Sequence, residues 1–167
     1  DFEGTVRFSA AGFVIGNKAY VGTGIDQYPN YNFRTDFWEY NPIANTWKRI
    51  ADLPGNGRYA GSAFTIGVKG YFGLGWDQVT PWYDEFYEYD PATNSWTQRA
   101  KFAGTPRQDG VSFAIGNYGY FGTGYDGSCN NDFWKYDAAI DSWTQVASLS
   151  DTGRFGAASF VLGNKAY

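Results

Sequence analysis

The hydrophobic positions of this chain fall in short runs broken by glycine and polar turns, and no helical period of 3.6 residues persists anywhere. The first run, residues 9–15, is small and apolar, with Ala10, Ala11 and Gly12 inside it, which suits a strand packed where space is tight. Gly16-Asn17 follows as a two-residue hairpin signal in which glycine takes the positive φ. Residues 18–22 form the returning strand. After Gly22-Thr23-Gly24 comes a polar and aromatic loop, then a third strand over 36–40. Residues 41–45 turn the chain with Pro42 fixing φ, and a fourth strand over 46–50 carries Trp47.

The pattern then repeats. Strands are expected over 62–66, 69–73, 85–89 and 95–99, and again over 112–115, 118–122, 132–136 and 142–146. The segment from Arg7 to Tyr20 returns nearly unchanged from Arg154 to Tyr167, with two further copies starting at Arg58 and Arg107. Trp47, Trp96 and Trp143 keep the same step of nearly fifty residues. A period of that size marks an array of one supersecondary unit, and four short antiparallel strands per unit make the blades of a β-propeller. Residues that recur once per unit are expected to serve the unit, so function is sought where the copies differ.

Composition agrees with an all-β chain. Aromatics make up 21% of the 167 residues and glycine occurs 22 times, residue types that suit pleated surfaces and tight turns. The net charge is −4 with no run of Lys or Arg, which argues against a nucleic-acid partner. No apolar stretch approaches the length of a membrane span, and no signal peptide or lipidation motif is present. Methionine is absent, so the chain reads as a processed or excised product. The single cysteine, Cys129, is expected to be a passive loop thiol.

The small-residue strand, the glycine hairpin, Tyr-x-Gly-x-Gly and Phe-Trp-x-Tyr-Asp-Pro-x-x-Asn-x-Trp together resemble the kelch repeat, in the form found in galactose-oxidase-like bacterial propellers. The resemblance covers essentially the whole chain. One departure is consistent: kelch units usually carry Gly-Gly after the second strand, whereas this chain has Gly22-Thr23-Gly24, Gly73-Leu74-Gly75 and Gly122-Thr123-Gly124. Ala138 also replaces the turn proline found at Pro42 and Pro91. The units are expected at about 7–54, 55–104 and 105–150, with a partial one at 151–167. That boundary pattern suggests an excerpt of a longer closed propeller, association of copies being the alternative route to closure. An extracellular or cell-envelope location is favoured.

Two sets of residues are candidates for a ligand site. Arg7, Arg58, Arg107 and Arg154 each precede the first strand of a unit, which in kelch propellers resembles the loop on the docking face near the channel. Their planar forks would suit a carboxylate or an acidic peptide, or they brace neighbouring blades as ion pairs. Asp26, Asp77 and Asp126 recur two residues after each Gly-x-Gly, as expected of bracing partners. The variable loops hold Tyr28, Tyr31, Phe33, Trp76, Trp82, Tyr83 and Tyr125. These rings either stack on a sugar or anchor a protein partner, or they pack loop on loop. Phe37, Trp38, Tyr40, Trp47 and their counterparts recur within strands and are expected to be blade core. Asp36, Glu85 and Asp132 stand at the third-strand entrance, where they are expected to accept backbone hydrogen bonds.

The chain has no histidine, so no histidine-based triad or imidazole metal site can be built from it. Galactose oxidases need histidine copper ligands and a Cys–Tyr cross-link, and plant specifier-type kelch proteins use histidine in an iron site. None of those ligands maps onto a position here. The sequence therefore favours a non-catalytic module without a cofactor, binding a protein or glycan on the loop face. The alternative is part of a carbohydrate-active enzyme, an oxidase or a sugar-acid epimerase, whose site lies in other blades.

Overall fold

The computed structural model describes residues 2–26, 31–79 and 81–167. Among them there is no helix, and three four-stranded antiparallel sheets follow one another along the chain. The first segment holds β1 (Arg7–Phe8), β2 (Ala11–Ile15), β3 (Lys18–Gly22), β4 (Ile25–Asp26), β5 (Phe37–Asn41) and β6 (Thr46–Arg49). The second holds β7 (Ser62–Ile66), β8 (Lys69–Gly73), β9 (Phe86–Asp90) and β10 (Ser95–Arg99). The third holds β11 (Val111–Ile115), β12 (Tyr118–Gly122), β13 (Phe133–Asp137) and β14 (Ser142–Val146), and β15 (Val161–Leu162) with β16 (Lys165–Ala166) closes as a last hairpin. Sheet orders are β2-β3-β5-β6, β7-β8-β9-β10 and β11-β12-β13-β14, each a meander in sequence order. The chain is a row of propeller blades, as its repeats predict.

The strands differ from the expected bounds by one or two residues, mostly at the third strand. Phe37, Phe86 and Phe133 open β5, β9 and β13, while Asp36, Glu85 and Asp132 stand just outside them. Gly16, Gly67, Gly116 and Gly163 take φ near +59° in the hairpin turns, the conformation that glycine adopts without a side-chain clash.

Blades meet through aromatic rings pressed onto glycine. Phe13 of β2 packs over Gly70 of β8, where a Cβ would come within 2.1 Å of the ring. Phe64 of β7 packs over Gly119 of β12 in the same way, again at 2.1 Å. The step between neighbouring first strands is thus set by a ring that only a bare backbone can receive.

Trp96 and Trp143 sit at the outer side of these junctions. Trp96 lies 4.8 Å from Phe37 of the preceding blade and Trp143 lies 5.0 Å from Phe86. Their indole N–H groups donate back to the carbonyls of Ala51 and Ala100, at 2.9 and 3.2 Å. The N–H of Ala51 donates in turn to Asn94 and that of Ala100 to Asp141, both at 2.9 Å. All three tryptophans are half-buried. Trp47, whose neighbours are Phe2 and Tyr40, has no preceding blade in this chain to pack on.

Candidate functional site

The face where the first strands begin carries a small sub-structure in each unit. The residue after each arginine pairs with the residue after Gly-x-Gly: Phe8 with Ile25, Tyr59 with Trp76, and Gln108 with Tyr125. One position further on, Ser9, Ala60, Asp109 and Gly156 all take positive φ, between 51° and 65°. Their main chains join across the blades. Ala60 N–H donates to Ser9 O at 3.0 Å, Asp109 N–H to Ala60 O at 3.0 Å, and Gly156 N–H to Asp109 O at 2.9 Å. A second set of links lies outside this arc: Gly24, Gly75 and Gly124 donate to the carbonyls of Arg58, Arg107 and Arg154. The arc bounds an open cavity of about 190 Å³.

The arginines turn their side chains away from that cavity into the units. Arg7 makes a two-pronged ion pair with Asp36, both contacts at 2.7 Å, and Arg107 makes one with Asp132 at 2.5 and 2.8 Å. Arg58 reaches Glu85 at 2.7 Å and lies over the ring of Tyr83, 3.7 Å from its centroid. Arg58 and Arg107 are 0% exposed. Burial pushes the carboxyls of Asp36 and Asp132 up, but the hydrogen bonds from the arginines and from Trp38 and Trp134, with the guanidinium charge, outweigh it and hold both below the usual range. The brace joins first and third strands of one unit, rather than one blade to the next. Arg154 differs: it is exposed and pairs with Asp151 at 2.5 Å.

The aspartates after Gly-x-Gly are not the partners of these arginines. Asp26 holds Arg34 in a two-pronged ion pair and accepts from Asn32 at 3.1 Å. Asp77 accepts from the Tyr83 hydroxyl at 2.6 Å and from Val79 N–H at 3.0 Å. Asp126 accepts from the Ser128 N–H and hydroxyl, both at 3.2 Å. Each carboxylate fastens its own variable loop. Asp36 and Asp132 take guanidinium and indole donors, and each also accepts a backbone hydrogen bond, as expected.

The aromatic residues of the loops divide. Phe33, Tyr59, Trp76, Trp82, Tyr125 and Phe155 form a continuous belt across three units and into the partial fourth, with successive centroids 5.9, 6.2, 6.0, 6.2 and 5.4 Å apart. Phe33, Tyr59, Trp76, Trp82 and Tyr125 are half-buried, and Phe155 at its end is 54% exposed. Tyr83 is not in the belt but buried beneath Arg58, where Asn56 donates to its hydroxyl at 3.2 Å. Tyr31 is exposed, and Tyr28 lies outside the described residues. Cys129 is exposed on the third variable loop.

Sequence reasoning missed Asp109. It stands in the arc of Ser9, Ala60 and Gly156 and lines the cavity that the arc bounds. The signal was present: one charged residue at a position that is otherwise small. Among the described residues no group of His, Cys, Asp and Glu is arranged to hold a metal ion.

No protein-family model matches the chain, and no curated protein matches it. Its fold is shared with 166 solved chains. One of them, the structure of YjhT, superposes with a TM-score of 0.83 at 18% identity, over 96% of this chain and 56% of that one. This chain therefore spans little more than half the length of YjhT, and at that identity the likeness is one of fold: a row of β-propeller blades.

Proposed function

We propose that the chain is a stretch of kelch-type propeller acting as a non-catalytic binding module, which holds a protein or carbohydrate ligand on the loop face around the channel mouth. The observation that carries this reading is the belt from Phe33 to Phe155. Half-buried rings on adjacent loops offer a large contact area already fixed in place, so a ligand meets it at small entropic cost. The kelch-type repeat motif and the blade fold support the module; the belt supports the face.

The arginines are given no part in the contact. Arg58 and Arg107 are fully buried, Arg7 is held by Asp36 and the exposed Arg154 by Asp151, so none of the four presents an unpaired guanidinium to an acidic ligand.

A glycan and peptide array tests the reading. Wild-type protein is expected to give hits that weaken about tenfold or more in Trp82→Ala, with the far-UV circular dichroism of the variant unchanged. Hits indifferent to Trp82 would remove the belt from the contact.

A second reading, part of a kelch-type carbohydrate-active enzyme, is favoured by one observation. The chain matches only 56% of the YjhT chain, so blades outside it have room for a site. Turnover of sugars or sugar acids by the full parent protein separates it from the first.

A further inference from the structure

Four equivalent positions close the arc, and three of them carry no charge: Ser9, Ala60 and Gly156. The fourth is Asp109. Its main chain does what the others do, donating to Ala60 and accepting from Gly156. The arc therefore does not explain its side chain. A φ of 54° is comfortable for Asp or Asn but asks for no charge.

The carboxylate is poorly matched where it stands. It takes no part in any ion pair among the described residues, unlike Asp26, Asp36, Glu85 and Asp132 on the same side of the molecule. Gln108 Nε2 donates to it at 3.1 Å. Burial pushes its carboxyl above the usual range, against that hydrogen bond. Beside it, Gln108 Oε1 is buried without a hydrogen-bond donor. The corner thus offers acceptors and no cation.

We propose that the cavity bounded by the arc is a subsite for a primary ammonium group, with the Asp109 carboxylate as its counter-ion. An ammonium is compact, carries three donors and no acceptor, and so answers the Asp109 carboxylate that lines the cavity. The proposal rests on the loop-face reading above and narrows it: the ligand presents an amine, on a sugar ring or at the tip of a lysine side chain.

Calorimetric titration with three probes tests this: glucosamine, N-acetylglucosamine, and 1,5-diaminopentane. Asp109→Asn keeps the shape and suits the positive φ, so the variant is expected to fold as the wild type does. At least one of the two amines is expected to bind wild type at about 10 mM or below and to lose about tenfold or more in the variant. N-acetylglucosamine, which has no cation, is expected to treat both proteins alike. Loss with glucosamine alone identifies an amino sugar as the source, and loss with diaminopentane alone identifies a lysine side chain. Amines that bind both proteins equally, or that fail to bind the wild type, overturn the proposal. If array hits depend on Trp82 while Asp109→Asn changes nothing, the ammonium subsite falls and the binding face stands.

Discussion

Arg107 grips Asp132 with both prongs of its guanidinium, at 2.5 and 2.8 Å, while its Nη1 also donates to the carbonyl of Thr123 at 3.2 Å and its Nε to that of Thr105 at 2.9 Å. One side chain thereby fixes the loop entering the first strand, the end of the second and the entrance of the third. Replacing Arg107 by Met leaves a half-buried carboxylate without its counter-ion, though still with the Trp134 indole, and two carbonyls without their side-chain donor. The expected loss is about 3–5 kcal/mol in urea unfolding. A loss under about 1 kcal/mol would show that the brace is ornamental.

The same pair fixes how stability depends on acid. The folded-state values of Asp36 and Asp132 lie below their unfolded values, so their contribution is present above the ordinary carboxylate range of about pH 4 and is lost as pH falls through the folded values. Asp109 has the opposite sign, its folded value being raised by burial. Its ionisation costs stability at neutral pH. Asp109→Asn is expected to be more stable than wild type at pH 7, with the gap narrowing as pH falls through the raised value. Unfolding curves at pH 7, 5 and 3 measure both effects.

At the outer junction, Trp96→Ala is expected to cost about 3 kcal/mol, because the indole packs on Phe13 and Phe37 and donates to Ala51. Trp96→Phe keeps most of the packing and loses the hydrogen bond, for about 1 kcal/mol. Equal losses in the two variants would assign the whole effect to the N–H.

The Phe64–Gly119 contact gives a paired test. Gly119→Ala drives a methyl group into the ring and is expected to cost about 1–3 kcal/mol. Phe64→Leu in the same chain makes room, so the double variant is expected to lose less than the sum of the two single losses. Additive losses would mean that the blades separate without strain.

The blades were legible in the sequence because strand, hairpin and turn signals repeat with the tryptophans. The bracing partner was not. Two acidic positions recur at the same step as the arginines, Asp26-Asp77-Asp126 and Asp36-Glu85-Asp132, and spacing alone cannot choose between them. The choice is made in three dimensions: the first set curls back on its own loop, and the second stands at the strand entrance within reach of the guanidinium. The variable loops misled in a related way, since Tyr83 is spent under Arg58 while Tyr59 and Phe155, outside those loops, extend the row of rings. Asp109 escaped notice because attention to what recurs passes over the single unit that departs.

The arc of Ser9, Ala60, Asp109 and Gly156 is stitched by peptide groups alone, so its geometry takes no account of which side chains hang from it. A hydroxyl, a methyl, a carboxylate and a bare hydrogen occupy equivalent places without altering the stitch. The arc is in effect a socket whose fittings can be exchanged one at a time. New recognition chemistry can be installed there by a single codon, leaving the frame that presents it untouched.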